Sequence, residues 1–155
     1  MNNKTHSISP KFGQDITTSK RHENEKLTFA EKWRLRGKKI LYVDDDPVQN
    51  KVYSEKFLSC GCKVDIATNG DEALKKINSN KYDILITHLL MPIMSGIDLI
   101  YEVRRRNLLN CNIIVLSNLT NREIVTTALS LGIKEYIFAE ESTPNYLVKT
   151  ILKYI

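Results

Sequence analysis

Ile40-Leu41-Tyr42-Val43-Asp44-Asp45-Asp46-Pro47 is an apolar run that ends abruptly in three carboxylates and a proline. Four consecutive apolar residues without polar alternation are the pattern of a strand buried on both faces, as in a parallel sheet. Pro47 has no backbone N–H to lose in a first helical turn, so a helix is expected to open there and run to about Cys60, where Gly61 stops it. A strand followed at once by a helix is the start of a βαβ unit.

The same alternation continues downstream. Strands are expected at 64–67, 82–87, 113–117 and 135–138. Helices are expected from the Asn69-Gly70-Asp71 turn to about 78, then over 97–106, 121–131 and 143–153. Five strands alternating with five helices call for one sheet covered on both faces, and right-handed crossovers leave few topologies. The expected fold is α/β, a flavodoxin-like (βα)5 doubly wound parallel sheet with its binding crevice at the carboxyl ends of the strands.

Upstream, the character changes. Residues 1–37 hold eight Lys or Arg against four acids, so +4 of the chain's net +5 lies there. The chain is thus read as a basic tail, 1–37, and a domain, 38–155. Residues 1–28 lack a sustained apolar period and are expected to be disordered. Over 29–36 a short amphipathic helix is expected, with Phe29 and Trp33 on one face. Trp33, the only tryptophan, is expected against the flank of the domain, with a partner or membrane contact as the alternative. Nucleic-acid binding would have to rest on this tail and is not expected, since charge runs of this size are usually solvated linkers.

No apolar stretch reaches the roughly 20 residues that span a bilayer, and the N-terminus lacks a signal-peptide core, so a cytoplasmic protein is expected. Cys60-Gly61-Cys62 lacks zinc or thioredoxin-like spacing; with Cys111 the thiols are read as small apolar side chains.

The residues after strands one, three, four and five should meet in the crevice: Asp44 and Asp45, His88, Ser117, and Ala139. Adjacent carboxylates at a strand end suit a divalent ion such as Mg²⁺ held largely through water. The plainer reading is that the aspartates cap the next helix, which accounts for one of them but poorly for three.

Lys39 to Ile155 resembles the receiver domain of two-component response regulators. The resemblance rests on residues 40–47, Asn69-Gly70-Asp71-Glu72-Ala73, 82–86, Met91-Pro92-Ile93-Met94-Ser95-Gly96, Ile114-Val115-Leu116-Ser117 and 132–136. It implies an Mg²⁺ pocket at Asp44 and Asp45, a phosphoryl-binding hydroxyl at Ser117 and a switch aromatic at Tyr136. It implies partners that are signalling proteins (a histidine kinase, a phosphotransfer protein or an output protein), bound through the last two helices and the fifth strand.

The resemblance also marks departures. His88, three residues before Met91, holds the position of the phosphate-accepting aspartate. Ala139 stands for the family's lysine, and Glu140 for the proline after it. An imidazole cannot form the acyl phosphate that drives the family's switch, and without the lysine a phosphoryl group loses a fixed positive partner. The family's lysine–proline peptide is generally cis; without proline, cis would cost about 3–4 kcal/mol, so a trans bond is expected at Ala139–Glu140. The expected function is an atypical receiver, a protein-interaction module without aspartyl phosphorylation and not an enzyme. The alternatives are a receiver that binds metal through Asp44, Asp45 and His88, or one phosphorylated at a non-standard residue.

Overall fold

The computed structural model describes residues 26–108 and 111–155. The disorder expected of the tail lies, up to residue 25, outside them. Among the described residues, helix α1 (Phe29–Leu35) leads into β1 (Lys39–Val43), α2 (Pro47–Ser59), β2 (Lys63–Ala67), α3 (Gly70–Ser79), β3 (Ile84–Thr87), α4 (Gly96–Arg105), β4 (Asn112–Ser117), α5 (Arg122–Ser130), β5 (Glu135–Phe138) and α6 (Pro144–Ile151). A 3₁₀ turn, Ala139–Glu141, which the sequence pattern did not announce, sits between β5 and α6.

The strands form one parallel sheet in the order β2-β1-β3-β4-β5. Leu41, Val43, Leu85, Ile113 and Val115 pack on one face with side chains of α3, α4 and α5. Ile40, Tyr42, Ile84, Ile86, Ile114, Leu116 and Ile137 pack on the other with α1, α2 and α6. The two faces split each strand by its alternation, as the pleat requires. Every residue of β3 is buried, which is why its sequence shows no polar alternation.

Side-chain caps start the helices. Asp46 accepts from Val48 N and Gln49 N ahead of Pro47, and Asn69, Ser95, Asn121 and Thr143 do the same for α3 to α6. Such caps contribute about 1 kcal/mol each. Gly61, at φ +85°, ends α2 in the left-handed region that glycine enters without a Cβ clash. Gly96 is needed for space instead: a Cβ there would overlap the His88 carbonyl oxygen. The start of α4 thereby packs directly on the loop that carries His88.

Helix α1 is bound to the domain. Thr28 and Glu31 form a reciprocal capping box, and Leu35 is fully buried against the α2 and α6 face. Burying a leucine stabilises by about 2 kcal/mol. Glu31 pairs with Lys149 of α6 at 2.8 Å, and Arg34 donates to the Leu152 and Ile155 carbonyls at 2.5 and 2.7 Å. Trp33, expected on the flank, is instead 58% exposed, and Phe29 78%. The two rings meet edge-to-face, with the Arg36 guanidinium 5.5 Å from the indole centroid. Leu35 fills the flank because it lies two residues from Trp33, roughly half a helical turn round.

Candidate functional site

The carboxyl ends of β1, β3, β4 and β5 converge because the strands are parallel and paired almost in step. Val43 lies beside Thr87, and Ser117 beside Phe138. The residues that follow therefore share one rim.

The three aspartates take three different parts. Asp46 is the helix cap, its Oδ1 2.8 Å from Val48 N. Asp44 is turned inward and buried, accepting from Asp46 N at 3.0 Å and from the Tyr42 hydroxyl at 3.2 Å. Asp45 is half in solvent. The capping reading of the run therefore holds for Asp46, while Asp44 and Asp45 lie beside His88. Burial raises the pKa of the Asp44 carboxyl above its ordinary 3.8, partly offset by the Asp46 N–H and by nearby His88.

His88 brings Nδ1 to 3.9 Å from Asp44 Oδ1 and 3.9 Å from Asp45 Oδ1. That nitrogen is buried and has no hydrogen-bond partner. One donor atom from each of the three side chains lies within 4.8 Å of the others. Two of these donors are hard oxygens that suit Mg²⁺; the third is a nitrogen that does not.

The β4–β5 side is wired differently. Ser117 is fully buried and its Oγ accepts from Leu119 N at 3.3 Å. The Tyr136 hydroxyl donates to Leu119 O at 2.8 Å, so both side chains are anchored to one residue. Burial raises the Tyr136 phenol's pKa, keeping it a neutral donor. Ala139 is half-buried and packs toward the α2 and α6 face; it brings no charge to the rim. Glu140 N donates to Asn118 Oδ1 at 3.0 Å, and the Ala139–Glu140 peptide is trans, as the missing proline led us to expect.

Two contributors escaped the sequence reading. Tyr42, stacked on Tyr53 with ring centroids 5.3 Å apart, presents its hydroxyl to Asp44 from beneath. Asn50 of α2 donates from Nδ2 to the Asp44 carbonyl at 2.8 Å. The signal for Tyr42 was available, since residues two apart on a strand share a face. Asn50 had none beyond its place in the first turns of α2. The cysteines remain outside the site: all three are free, and burial pushes the Cys62 thiol up to about 12 and Cys111 to about 11.

A doubly wound sheet in this order, with an acidic pair after β1 and a buried hydroxyl closing β4, is the build of the α/β receiver modules of signalling chains. The chain belongs to the response regulator receiver domain family, whose model matches residues 40–151. It is 33% identical over 118 residues to the chemotaxis protein CheY of Thermotoga maritima, a match covering 76% of this chain and 97% of that one. It is 32% identical over 103 residues to the sensor protein EvgS of Escherichia coli, covering 66% of this chain but only 8% of EvgS. Among solved structures, the chemotaxis response regulator CheY4 of Vibrio cholerae superposes with a TM-score of 0.70 at 26% identity, over 77% of this chain and 99% of that one. This chain is therefore a receiver of two-component signalling, a family that works with histidine kinases and other signalling proteins and binds Mg²⁺ in its acidic pocket. No described helix is long and apolar enough to cross a membrane.

Proposed function

We propose that this receiver acts as a protein-interaction module without aspartyl phosphorylation and without catalysing a reaction of its own. The carrying observation is His88: its imidazole sits where a strand-end carboxylate would receive phosphate, with Nδ1 directed at Asp44 and Asp45. The β5 side supports the same reading. Ala139 offers no cation for a phosphoryl oxygen, and Glu140 next to it carries the opposite charge. Ser117 and Tyr136, the pair expected to move on phosphorylation, are both engaged by Leu119.

The partner is a signalling protein, and the face proposed for it is made by α5, β5 and α6. Tyr136 and Phe138 meet there on the edge strand with ring centroids 5.4 Å apart, both half-buried, and Leu129 is exposed on α5. Leu147 belongs to the core and is excluded from that face.

The test is an intact mass of the full chain after incubation with acetyl phosphate and Mg²⁺. An unchanged mass is expected. A stoichiometric phosphoryl adduct on Asp44, Asp45 or Asp46 would refute the proposal, and one on His88 would replace it with a receiver phosphorylated at a non-standard residue.

A further inference from the structure

We infer that the Asp44–Asp45–His88 pocket has changed its metal preference, and selects a borderline divalent transition ion such as Co²⁺ or Zn²⁺ over Mg²⁺. The inference rests on the reading that no phosphoryl group enters the pocket. Three observations carry it.

The first is the donor set. Two carboxylates and one imidazole nitrogen suit the later first-row ions, whereas Mg²⁺ takes oxygen donors in a near-ideal octahedron. A receiver carboxylate at position 88 would have completed an all-oxygen set, and the imidazole removes it.

The second is the unsatisfied nitrogen. His88 Nδ1 is buried with no hydrogen-bond partner among the described residues. Leaving a buried polar atom without a hydrogen bond is unfavourable, so native chains rarely retain one without a reason. The nitrogen does not point at apolar wall. It is equidistant, at 3.9 Å, from one oxygen of each aspartate. An ion bound to all three would satisfy it.

The third is fit and support. Donors about 2.0–2.2 Å from a common ion stand roughly 3 to 3.5 Å apart. The two observed 3.9 Å separations close to that range by less than an ångström, and all three donors already lie within 4.8 Å of one another. Asp44 is held in place by the Tyr42 hydroxyl and by Asp46 N, and its backbone by Asn50. Such outer contacts orient a ligand before the ion arrives. Asp45, half in solvent, leaves the entry side open and room for water in the remaining coordination positions.

Calorimetric titration of the full-length, reduced chain with Co²⁺ and Mg²⁺ chlorides tests this. Co²⁺ is expected to bind about ten-fold or more tightly than Mg²⁺, and His88→Ala should bring Co²⁺ down to the Mg²⁺ level. His88→Asp, which keeps the family's residue and hence the fold, should restore preference for Mg²⁺. Equal affinities for Co²⁺ and Mg²⁺ in the native chain, or Co²⁺ binding unchanged in His88→Ala, would overturn the assignment. The two readings fail separately: a phosphoryl adduct ends the phosphorylation-independent one, while indifferent metal binding without an adduct ends only this one.

Discussion

The two halves of the crevice have responded to altered chemistry in opposite ways. On the β1–β3 side, charged groups remain but are loosely paired: a buried carboxylate, an exposed one, and an imidazole nitrogen 3.9 Å from both with no hydrogen-bond partner. On the β4–β5 side Ala139 brings no charge, Ser117 and Tyr136 are both bonded to Leu119, and Glu140 N donates to Asn118. A half that keeps unpaired donors is built to receive something. A half that spends its donors internally is built to stay as it is.

The largest effect expected from breaking this contrast is a gain of chemistry. His88→Asp combined with Ala139→Lys returns a carboxylate to one half and a cation to the other. Acetyl phosphate with Mg²⁺ should then give a phosphoryl adduct visible by intact mass, absent from the native chain and weaker with His88→Asp alone. If the double variant stays unmodified, the two halves are separated by more than these two residues.

Next in size is the buried carboxylate. Burial raises the pKa of Asp44, so its charged form at neutral pH works against folding. Asp44→Asn keeps one acceptor oxygen for Asp46 N and offers an amide N–H that the Tyr42 hydroxyl oxygen can accept, and should raise stability by about 1 kcal/mol in urea unfolding at pH 7 without metal. A loss of stability would mean that His88 already pairs with Asp44.

In the opposite half, Tyr136→Phe and Ser117→Ala should each cost about 1 kcal/mol, by freeing Leu119 O and Leu119 N respectively. Because both act on one residue, the double variant should depart from additivity by about 0.5 kcal/mol or more. Strict additivity would show that the network is only a set of neighbours.

The smallest effect lies outside both halves. Lys149 and the Thr28 N–H hold the Glu31 carboxyl at a pKa of about 2, below its ordinary 4.5. A depressed folded-state value adds stability above the unfolded pKa, lost as pH falls from about 4.5 towards 2. The pair is partly open to solvent, so its worth is discounted to about 1 kcal/mol or less. Glu31→Gln should lower Tm by about 2–4 °C at pH 7, with the difference fading below pH 4. Neither half of the crevice should register it in metal or phosphate binding.

The fold was largely legible because its strands are fully buried and its helix starts carry recognisable caps. Ile84, Leu85 and Ile86 could belong only to a central strand, and Pro47, Asn69 and Pro144 marked helix entries within a residue or two. Boundaries drifted where side chains imitate the ladder. The third strand begins at Ile84 rather than at 82, with Tyr82 bonded to Asp65 and Asp83 Oδ2 accepting from Lys39 N at 2.7 Å. In the site, spacing brought His88 beside the aspartates, but the division of labour among Asp44, Asp45 and Asp46 was not readable. It depends on which carboxylate the backbone turns toward the first N–H groups of α2. Trp33 misled for a similar reason: helical phase, rather than hydrophobicity, decided that Leu35 would be the buried residue.

The Arg34 clamp has a consequence for connectivity. Its guanidinium holds the carbonyls of Leu152 and Ile155, so the segment that enters β1 and the segment that leaves α6 are neighbours in space. A short glycine–serine splice from residue 155 to residue 27, with the chain reopened at the exposed Asn80–Lys81 turn, would rearrange the order of the gene while leaving all five strands in register. The same adjacency means that whatever is attached at either end starts from one corner of the molecule, on the far side of the sheet from α4.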